Sequence, residues 1–386
     1  MKVRYPRIII ISLIHGVLLT IGSIFLQRLP WTFQGEDKLI QWSIIVKRIA
    51  FDVGQFPYPE EFLFVNTSYS NDLIDKFDEA GFPLGNQVIT DRMQLALFTE
   101  ALNRIDKHKW AIYDIYFGDE SQYDDMFAPQ IEALPRVVMS TTTDDKGAKL
   151  APRFDNNSGL ANVETLDDIF LKYRLIHNDS LKVVPLKVIE GILDVEVESD
   201  GQFLKQGDRW GLNYYIPDLR ISQYKLTVTR GYPFINLSDV IYLDDETIES
   251  LVKDRIVIVG DFLANDNFET LVGEISGPLL LANLYLSLLN GEHLLSWQYF
   301  AFLIISFSLI SLIVFLPDEL FVLKLKFKEM AVGGSFIVYL AIVSVISYVS
   351  FNKAMNVFIL SFYLIGLNYL IGLWWKRREK KSLENS

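Results

Sequence analysis

Arg255-Ile-Val-Ile-Val-Gly260 is the strongest strand signal in the 386-residue chain, an unbroken apolar run closed by glycine. A loop follows it, and then an apolar run from Gly277 to Leu289 that ends at Asn290-Gly291 and reads as a helix. Upstream, Phe62-Leu-Phe-Val-Asn-Thr67, Trp110-Ala-Ile-Tyr-Asp-Ile-Tyr-Phe117 and Arg136-Val-Val-Met-Ser140 read as further strands. Gln87 to Lys107 has helical spacing at Met93, Leu97, Ala101, Leu102 and Ile105, and Tyr123 to Leu134 reads as another helix. Strand–helix–strand alternation of this kind predicts a mostly parallel α/β sheet. Residues 144–250 differ, because polar turns (Asp144-Asp-Lys-Gly147, Asn156-Asn-Ser-Gly159) separate short strands expected at Lys182–Val188, Leu212–Ile216 and Tyr224–Val228. They predict an antiparallel insertion. Asp37 to Phe51 predicts a helix rising from the membrane, with Leu39, Trp42, Ile45 and Ile49 on one face.

Long apolar runs lie on either side of this region. One falls at residues 8–26 and three follow it, at 297–316, 331–349 and 357–375. Each is close to the ~20 residues that a helix needs to cross a bilayer. The run at 8–26 is followed by Gln27-Arg-Leu-Pro-Trp31 rather than by a small-residue cleavage site, so it reads as an uncleaved anchor. The fold class expected is therefore an α/β periplasmic domain, residues 27–296, plus four transmembrane α-helices. Lys2, Arg4 and Arg7 place residues 1–7 in the cytoplasm under the positive-inside rule. The loop 317–330, with Lys324, Lys326 and Lys328, and the tail 376–386, with Arg377 and Arg378, then fall on the same side. The loop 350–356 falls outside. This topology describes a multi-pass inner-membrane protein of bacterial type with its large domain in the periplasm.

The charge is −12 overall and is distributed unevenly. Residues 1–26 carry +3 and residues 297–386 carry +4, which leaves −19 for the domain between them. An acidic domain argues against nucleic-acid binding, which requires Lys and Arg to displace phosphate counterions. Four of the seven tryptophans, Trp31, Trp297, Trp374 and Trp375, sit at span boundaries, where aromatic belts form. There is no cysteine, which excludes disulfides and thiolate metal sites. The four histidines, His15, His108, His177 and His293, show no metal-ligand spacing. The chain contains no Gly-x-Ser-x-Gly elbow, Walker loop or dinucleotide fingerprint, so neither an enzyme nor a cofactor is expected.

Three segments together resemble a known family. The first is Trp110-Ala-Ile-Tyr-Asp114-Ile-Tyr-Phe117, followed by Asp119, Glu120, Asp124 and Asp125. The second is Lys253-Asp-Arg-Ile-Val-Ile-Val-Gly260 with Asp266, Glu269-Thr270 and Ser276-Gly277-Pro-Leu-Leu-Leu-Ala282-Asn283. The third comprises Leu212-Asn-Tyr-Tyr215 and Phe234-Ile-Asn-Leu-Ser-Asp239-Val. In order and in topology they resemble the type 2 CHASE (cyclase/histidine-kinase-associated sensory extracellular) domains, and the resemblance covers nearly the whole chain. It implies an extracytoplasmic sensor. One departure is that the first strand ends in Asn66-Thr-Ser-Tyr69, where the family usually has an Asp-containing run. Another is that only about a dozen residues follow the last span, in place of an output module. A sensor of this form passes its signal to a separate partner protein.

Candidate binding residues follow from strand ends. Open α/β sheets place ligands beyond the carboxyl ends of their strands, where Asp261 and Asp266 fall. Gly277 opens a helix whose N-terminus suits an anion. Asp114, within its strand, is either a carboxylate held by backbone N–H groups or Arg, or a ligand contact. Capping and turn chemistry is the alternative for the loop residues. A pocket formed here would gather Asn66, Asp114, Asp119, Asp261, Asp266 and Gly277. Lys324, Lys326, Lys328, Arg377 and Arg378 are candidate docking residues for an output protein, with anionic lipid as the alternative. His15 and Asn368, polar residues within spans, are expected to pack between helices. The function expected is a membrane-anchored sensor subunit, with homo-oligomeric assembly left open and a structural or scaffolding membrane protein as the alternative. A carboxylate-metal hydrolase is a third reading.

Overall fold

In the computed structural model, residues 5–32, 35–51, 58–77, 80–144, 146–150, 153–154, 157–165, 168–178, 180–201, 203–228, 231–263, 266–316 and 332–384 are described. The chain begins with helices α1 (Tyr5–Gln27) and α2 (Glu36–Phe51). Strand β1 (Phe62–Asn66), the hairpin β2 (Asn71–Phe77) and β3 (Pro83–Thr90), and helix α3 (Arg92–Ile105) come next. Then follow β4 (Trp110–Asp114), α4 (Asp124–Ala133), β5 (Val137–Thr141), β6 (Ser158–Leu160) and α5 (Val184–Leu193). After a series of short elements come β7 (Phe234–Asn236), α6 (Asp245–Val252), β8 (Ile256–Gly260), β9 (Asn267–Thr270), β10 (Gly273–Ser276) and α7 (Gly277–Leu289). The last helices are α8 (Trp297–Phe315), α9 (Val332–Phe351) and α10 (Val357–Glu384). These elements form two compact units, one of residues 52–208 and 217–292, the other of 1–51, 209–216 and 293–386.

The first unit is built on a six-stranded sheet in the order β7-β1-β8-β4-β5-β6, with every pairing parallel. Its central strands lack polar alternation because both faces are covered, as parallel sheets require. Leu63, Val65, Ala111, Tyr113, Val257 and Val259 face a core shared with Leu95, Phe98 and Leu102 of α3, Phe127 and Ile131 of α4, and Ile248 and Val252 of α6. Side chains alternate along a strand, so Phe62, Phe64, Ile112, Ile256 and Ile258 face the opposite way. Phe62 meets Tyr285 of α7 edge-on at 5.9 Å, and α7 is buried along almost its whole length. Each fully buried Leu, Ile or Phe contributes roughly 1.5–3 kcal/mol.

The mostly parallel sheet is as expected, but several local expectations are corrected. The helix predicted from Gln87 begins at Arg92, where Asp91 accepts from the N–H groups of Met93 and Gln94 and starts the turn. Residues 87–90, with β-branched Val88, Ile89 and Thr90, belong instead to a hairpin. The strand expected at 182–188 is largely helix α5. Pro185 opens it in the first turn, and Val184, Val188 and Ile189 form one buried face. The strand expected at 224–228 is the short helix Gln223–Thr227, capped by Ser222. The antiparallel insertion is only partial: Leu181–Lys182 pairs with Ile176–His177 and Val197–Asp200 with Phe203–Gln206, both antiparallel, yet β6 and β7 form the two edges of the parallel sheet.

The second unit holds the apolar helices. Among the described residues, three are long and apolar enough to cross a membrane: Pro6–Gln27, Trp297–Phe315 and Val357–Trp374. The remaining expected span, 331–349, coincides with α9, whose apolar stretch Phe336–Phe351 is shorter. α1 and α8 run antiparallel, since Gln27 donates to Tyr299 Oη at 2.5 Å near one end while His15 bonds Ser311 toward the other. Gly16 lets them meet closely, because a Cβ there would lie 2.8 Å from the Ser308 nitrogen. His15 joins three helices. Its Nδ1 lies 2.7 Å from Ser311 Oγ, and its Nε2 lies 2.9 Å from Tyr363 Oη of α10. Ser311 donates its one hydroxyl proton to Phe307 O at 2.6 Å, so Nδ1–H is the donor to Ser311, and Nε2 accepts from Tyr363. His15 thus packs between α1, α8 and α10. His15→Ala should lower the thermal stability of the intact protein by roughly 1 kcal/mol. Tyr363→Phe should lower it by less, because one bond is lost rather than two. Equal melting of His15→Ala and the wild type would contradict the crosslink.

Candidate functional site

Parallel register aligns the carboxyl ends of neighbouring strands, so residues far apart in sequence form one row. Asn236 ends β7, Asn66 ends β1, Gly260 ends β8 and Asp114 ends β4. Asn66 pairs in register with both Asn236 and Gly260, and Gly260 pairs with Asp114. Tyr113 pairs with Met139, which brings Ser140 beside Asp114. The Ser140 hydroxyl donates to Asp114 Oδ1 at 2.7 Å.

Asn66 is fully buried and holds two loops together. Its Nδ2 donates to Asn236 Oδ1 at 3.0 Å. Its Oδ1 accepts from the Ser68 N–H at 3.3 Å and the Phe262 N–H at 3.2 Å. The Ser68 hydroxyl is within reach of both Asn66 Oδ1, at 2.6 Å, and the Asp261 carboxylate. Asp261 also accepts from the Leu263 N–H at 3.0 Å. These bonds tie the β1 and β8 ends together, with Asn66 as the buried centre.

Asp266 lies at the start of α7. Its backbone oxygen accepts from the Gly277 N–H at 2.7 Å. Its carboxylate rests on the Gly277 Cα, where a Cβ would come 1.9 Å from Oδ2. Glycine is required at 277 because of this close approach. The same contact sets the helix N-terminus against a carboxylate and disfavours an external anion there. At Gly260 a Cβ would lie 2.5 Å from Pro278 Cγ and 3.2 Å from the Asp114 oxygen, so glycine also lets α7 dock on the end of the sheet.

The electrostatics of this end are unbalanced. Burial, and after it the Asp266 charge, push the Asp114 carboxyl up to about 7, against the Ser140 hydrogen bond. Burial, and after it the Asp261 charge, also raise the Asp266 carboxyl. Neither Asp114 nor Asp266 forms an ion pair among the described residues. Such a pair favours keeping a proton or drawing in a donor or a cation. No group of three metal-ligating side chains is present among the described residues.

Five of the six expected binding residues, Asn66, Asp114, Asp261, Asp266 and Gly277, thus meet at one end of the sheet. Asp119 does not share their bonds. It accepts from Gln87 Nε2 of the hairpin at 2.6 Å, and its charge acts on Arg92. The acidic run after β4 belongs to a separate ion network, in which Arg153 pairs with Asp124 at 2.6 Å and with Glu120 at 3.1 Å. Arg92, 1% exposed, lies 3.5 Å from Asp124. Ser68, Ser140 and Asn236 are members of the row that the sequence did not single out. Each is a small polar residue at or just past a strand end, a signal that becomes useful only once strand order is known. Asn283, quoted above from the helix signature, is structural: it donates to Ile221 O and Leu279 O, both at 2.9 Å, and accepts from the Ile221 N–H at 2.7 Å. Of the docking candidates, Lys324, Lys326 and Lys328 lie outside the described residues. Arg377 and Arg378 lie on α10, and Arg377 is exposed.

A family model described as a CHASE2 domain matches residues 73–314, well over half of the 386-residue chain. Comparison with curated proteins and with solved structures finds no match.

Proposed function

The chain belongs to the CHASE2 domain family, a family of extracellular sensory domains, and from that membership we propose that it is a membrane-anchored sensor subunit. In this reading four helices cross the membrane, the α/β domain lies outside, and the N- and C-terminal segments lie inside. The protein has no chemistry of its own. A ligand meets the domain at the carboxyl end of the sheet, and a separate output protein reads the change. The observation that carries the reading is the row of Asn236, Asn66, Gly260, Asp114 and Ser140, with the Asp261 and Asp266 carboxylates beside it. Open α/β sheets bind ligands at that edge. The raised Asp114 and Asp266 carboxyls, and the carboxylate lying on the α7 N-terminus, favour a cationic or hydrogen-bond-donating ligand over an anion. Signalling then requires that the ligand bind two arrangements of the protein with different affinity.

Affinity capture of the intact protein from cross-linked native membranes, with mass spectrometry of what is retained, tests the partner. A cyclase, kinase or other signalling protein should be recovered. Recovery of envelope-assembly proteins alone, or of the protein alone, would move the assignment to a structural membrane role.

A further inference from the structure

Helix α2 presents three different sides. Its buried side is Glu36, Ile40, Ser43 and Ile44, and it packs on α9. A second strip, at Asp37, Gln41 and Arg48, is polar. The third side is open and is apolar beyond the exposed Lys38 of the first turn, with Trp42 64% and Ile49 79% exposed and Ile45 and Val46 exposed beside them. Trp42, Ile45 and Ile49 are three of the four residues that helical spacing places on one face.

The ends of α2 are fixed at a particular level. Near its start, Glu36 accepts from Asn356 Nδ2, just before α10, and from the Phe358 N–H in its first turn, both at 3.3 Å. Near its end, Lys47 bonds Asn352, the residue after α9 ends, and its ammonium lies 5.9 Å from the Tyr348 ring. α9 and α10 are joined by residues 352–356, so both attachments are at the same end of that helix pair. Sixteen residues of helix span about 24 Å. A helix of that length attached near both ends to one end of two apolar helices runs across their ends. α9 itself carries an open apolar stripe spaced by four, at Val338, Ile342 and Ile346.

We infer that α2 is an interfacial helix whose Trp42, Ile45, Val46 and Ile49 side is embedded in the outer leaflet of the membrane. One side against protein, one polar strip and one apolar side with a tryptophan is the pattern of a helix lying in the headgroup–acyl boundary, about 5–10 Å deep. Lipid covers the open side, and α2 is thereby held flat on the membrane. The inference rests on the spanning assignment of α1, α8 and α10.

The chain has no cysteine, so single-cysteine variants need no background substitutions. W42C, I45C and I49C would each be spin-labelled in the full chain reconstituted in phosphatidylcholine–phosphatidylglycerol vesicles. Collision with oxygen and with a water-soluble nickel chelate would then be compared. Q41C and R48C report the polar strip, and I14C, on the open side of α1, reports a span. The ratio of oxygen to nickel accessibility should be several-fold higher at 42, 45 and 49 than at 41 and 48. Equal nickel accessibility at all five positions overturns the inference. Loss of both collisions with spin–spin broadening also overturns it, because a second copy would then cover the face. A water-like ratio at I14C would instead refute the spanning assignment, so the two failures are distinguishable.

Discussion

Arg92→Ala should destabilise the α/β domain by about 3–5 kcal/mol, because removing one partner of a buried ion pair leaves the other uncompensated. Arg92 is almost fully buried, with its guanidinium carbon 4.3 Å above the Phe117 ring and its Nε 3.5 Å from Asp124. The substitution removes the charge, the packing on Phe117 and the packing beneath α4. Arg153 still pairs with Asp124 at 2.6 Å and retains part of the compensation, which sets the effect toward the lower end of the range. Chemical unfolding of the intact protein in detergent measures the loss. Arg92→Met together with Asp124→Leu should recover only part of it, since apolar replacement of a buried pair is often neutral but Arg153 is then left with Glu120 alone of its two partners. A loss under ~1 kcal/mol for Arg92→Ala would show that the pair is not buried as described.

Asp114 gives the second large effect, and it depends on pH. Its carboxyl is raised to about 7 in the folded protein, while in the unfolded chain it titrates near the ordinary value of about 4. A raised carboxyl penalises the folded state wherever the unfolded chain is ionised. The penalty is complete above about 7 and disappears as pH falls toward about 4, so acidification through that window stabilises the domain. The full gap corresponds to roughly 4 kcal/mol, and partial solvent access at the strand end reduces this to about 1–3 kcal/mol. Melting of the intact protein in nanodiscs should therefore rise from pH 8 to pH 5. Asp114→Asn should flatten that slope and raise the melting temperature at pH 8. Asp266→Asn should shift the window to lower pH, because the neighbouring charge that helps raise Asp114 is gone. Parallel pH slopes in the wild type and Asp114→Asn would contradict this origin.

The central strands were legible because each is an unbroken apolar run, which a parallel sheet buried on both faces requires. Ser158–Leu160, only three residues with glycine at the centre, carries no such signal, and its place at the sheet edge comes from pairing with Met139, Ser140 and Thr141. The β2–β3 hairpin was missed because Asn71-Asp-Leu-Ile-Asp-Lys-Phe77 mixes charge with apolar residues on an element covered only in part. Helix α5 was read as a strand because valine and leucine dominate its first turn, whereas Pro185 at the start was the correct cue. For the site, Asn66, Asp114, Asp261 and Asp266 could be found as polar residues at or after strand ends. Ser140 and Asn236 could not, because their relevance depends on which strands are neighbours. Asp119 was misplaced for a related reason. Acidic residues after a strand suggest a ligand edge, but Gln87, Arg92 and Arg153 come from distant segments and turn that run into a structural ion network.

Hydrogen exchange of the intact protein in nanodiscs, with and without a small-molecule extract of its native envelope, tests the sensory site most directly. The account predicts slowed exchange in the peptides covering 66–70, 114–119, 261–268 and 277–283, with the slowing lost in Asp266→Asn. Unchanged exchange in all four, or slowing that persists in Asp266→Asn, would contradict a ligand site at the carboxyl end of the sheet.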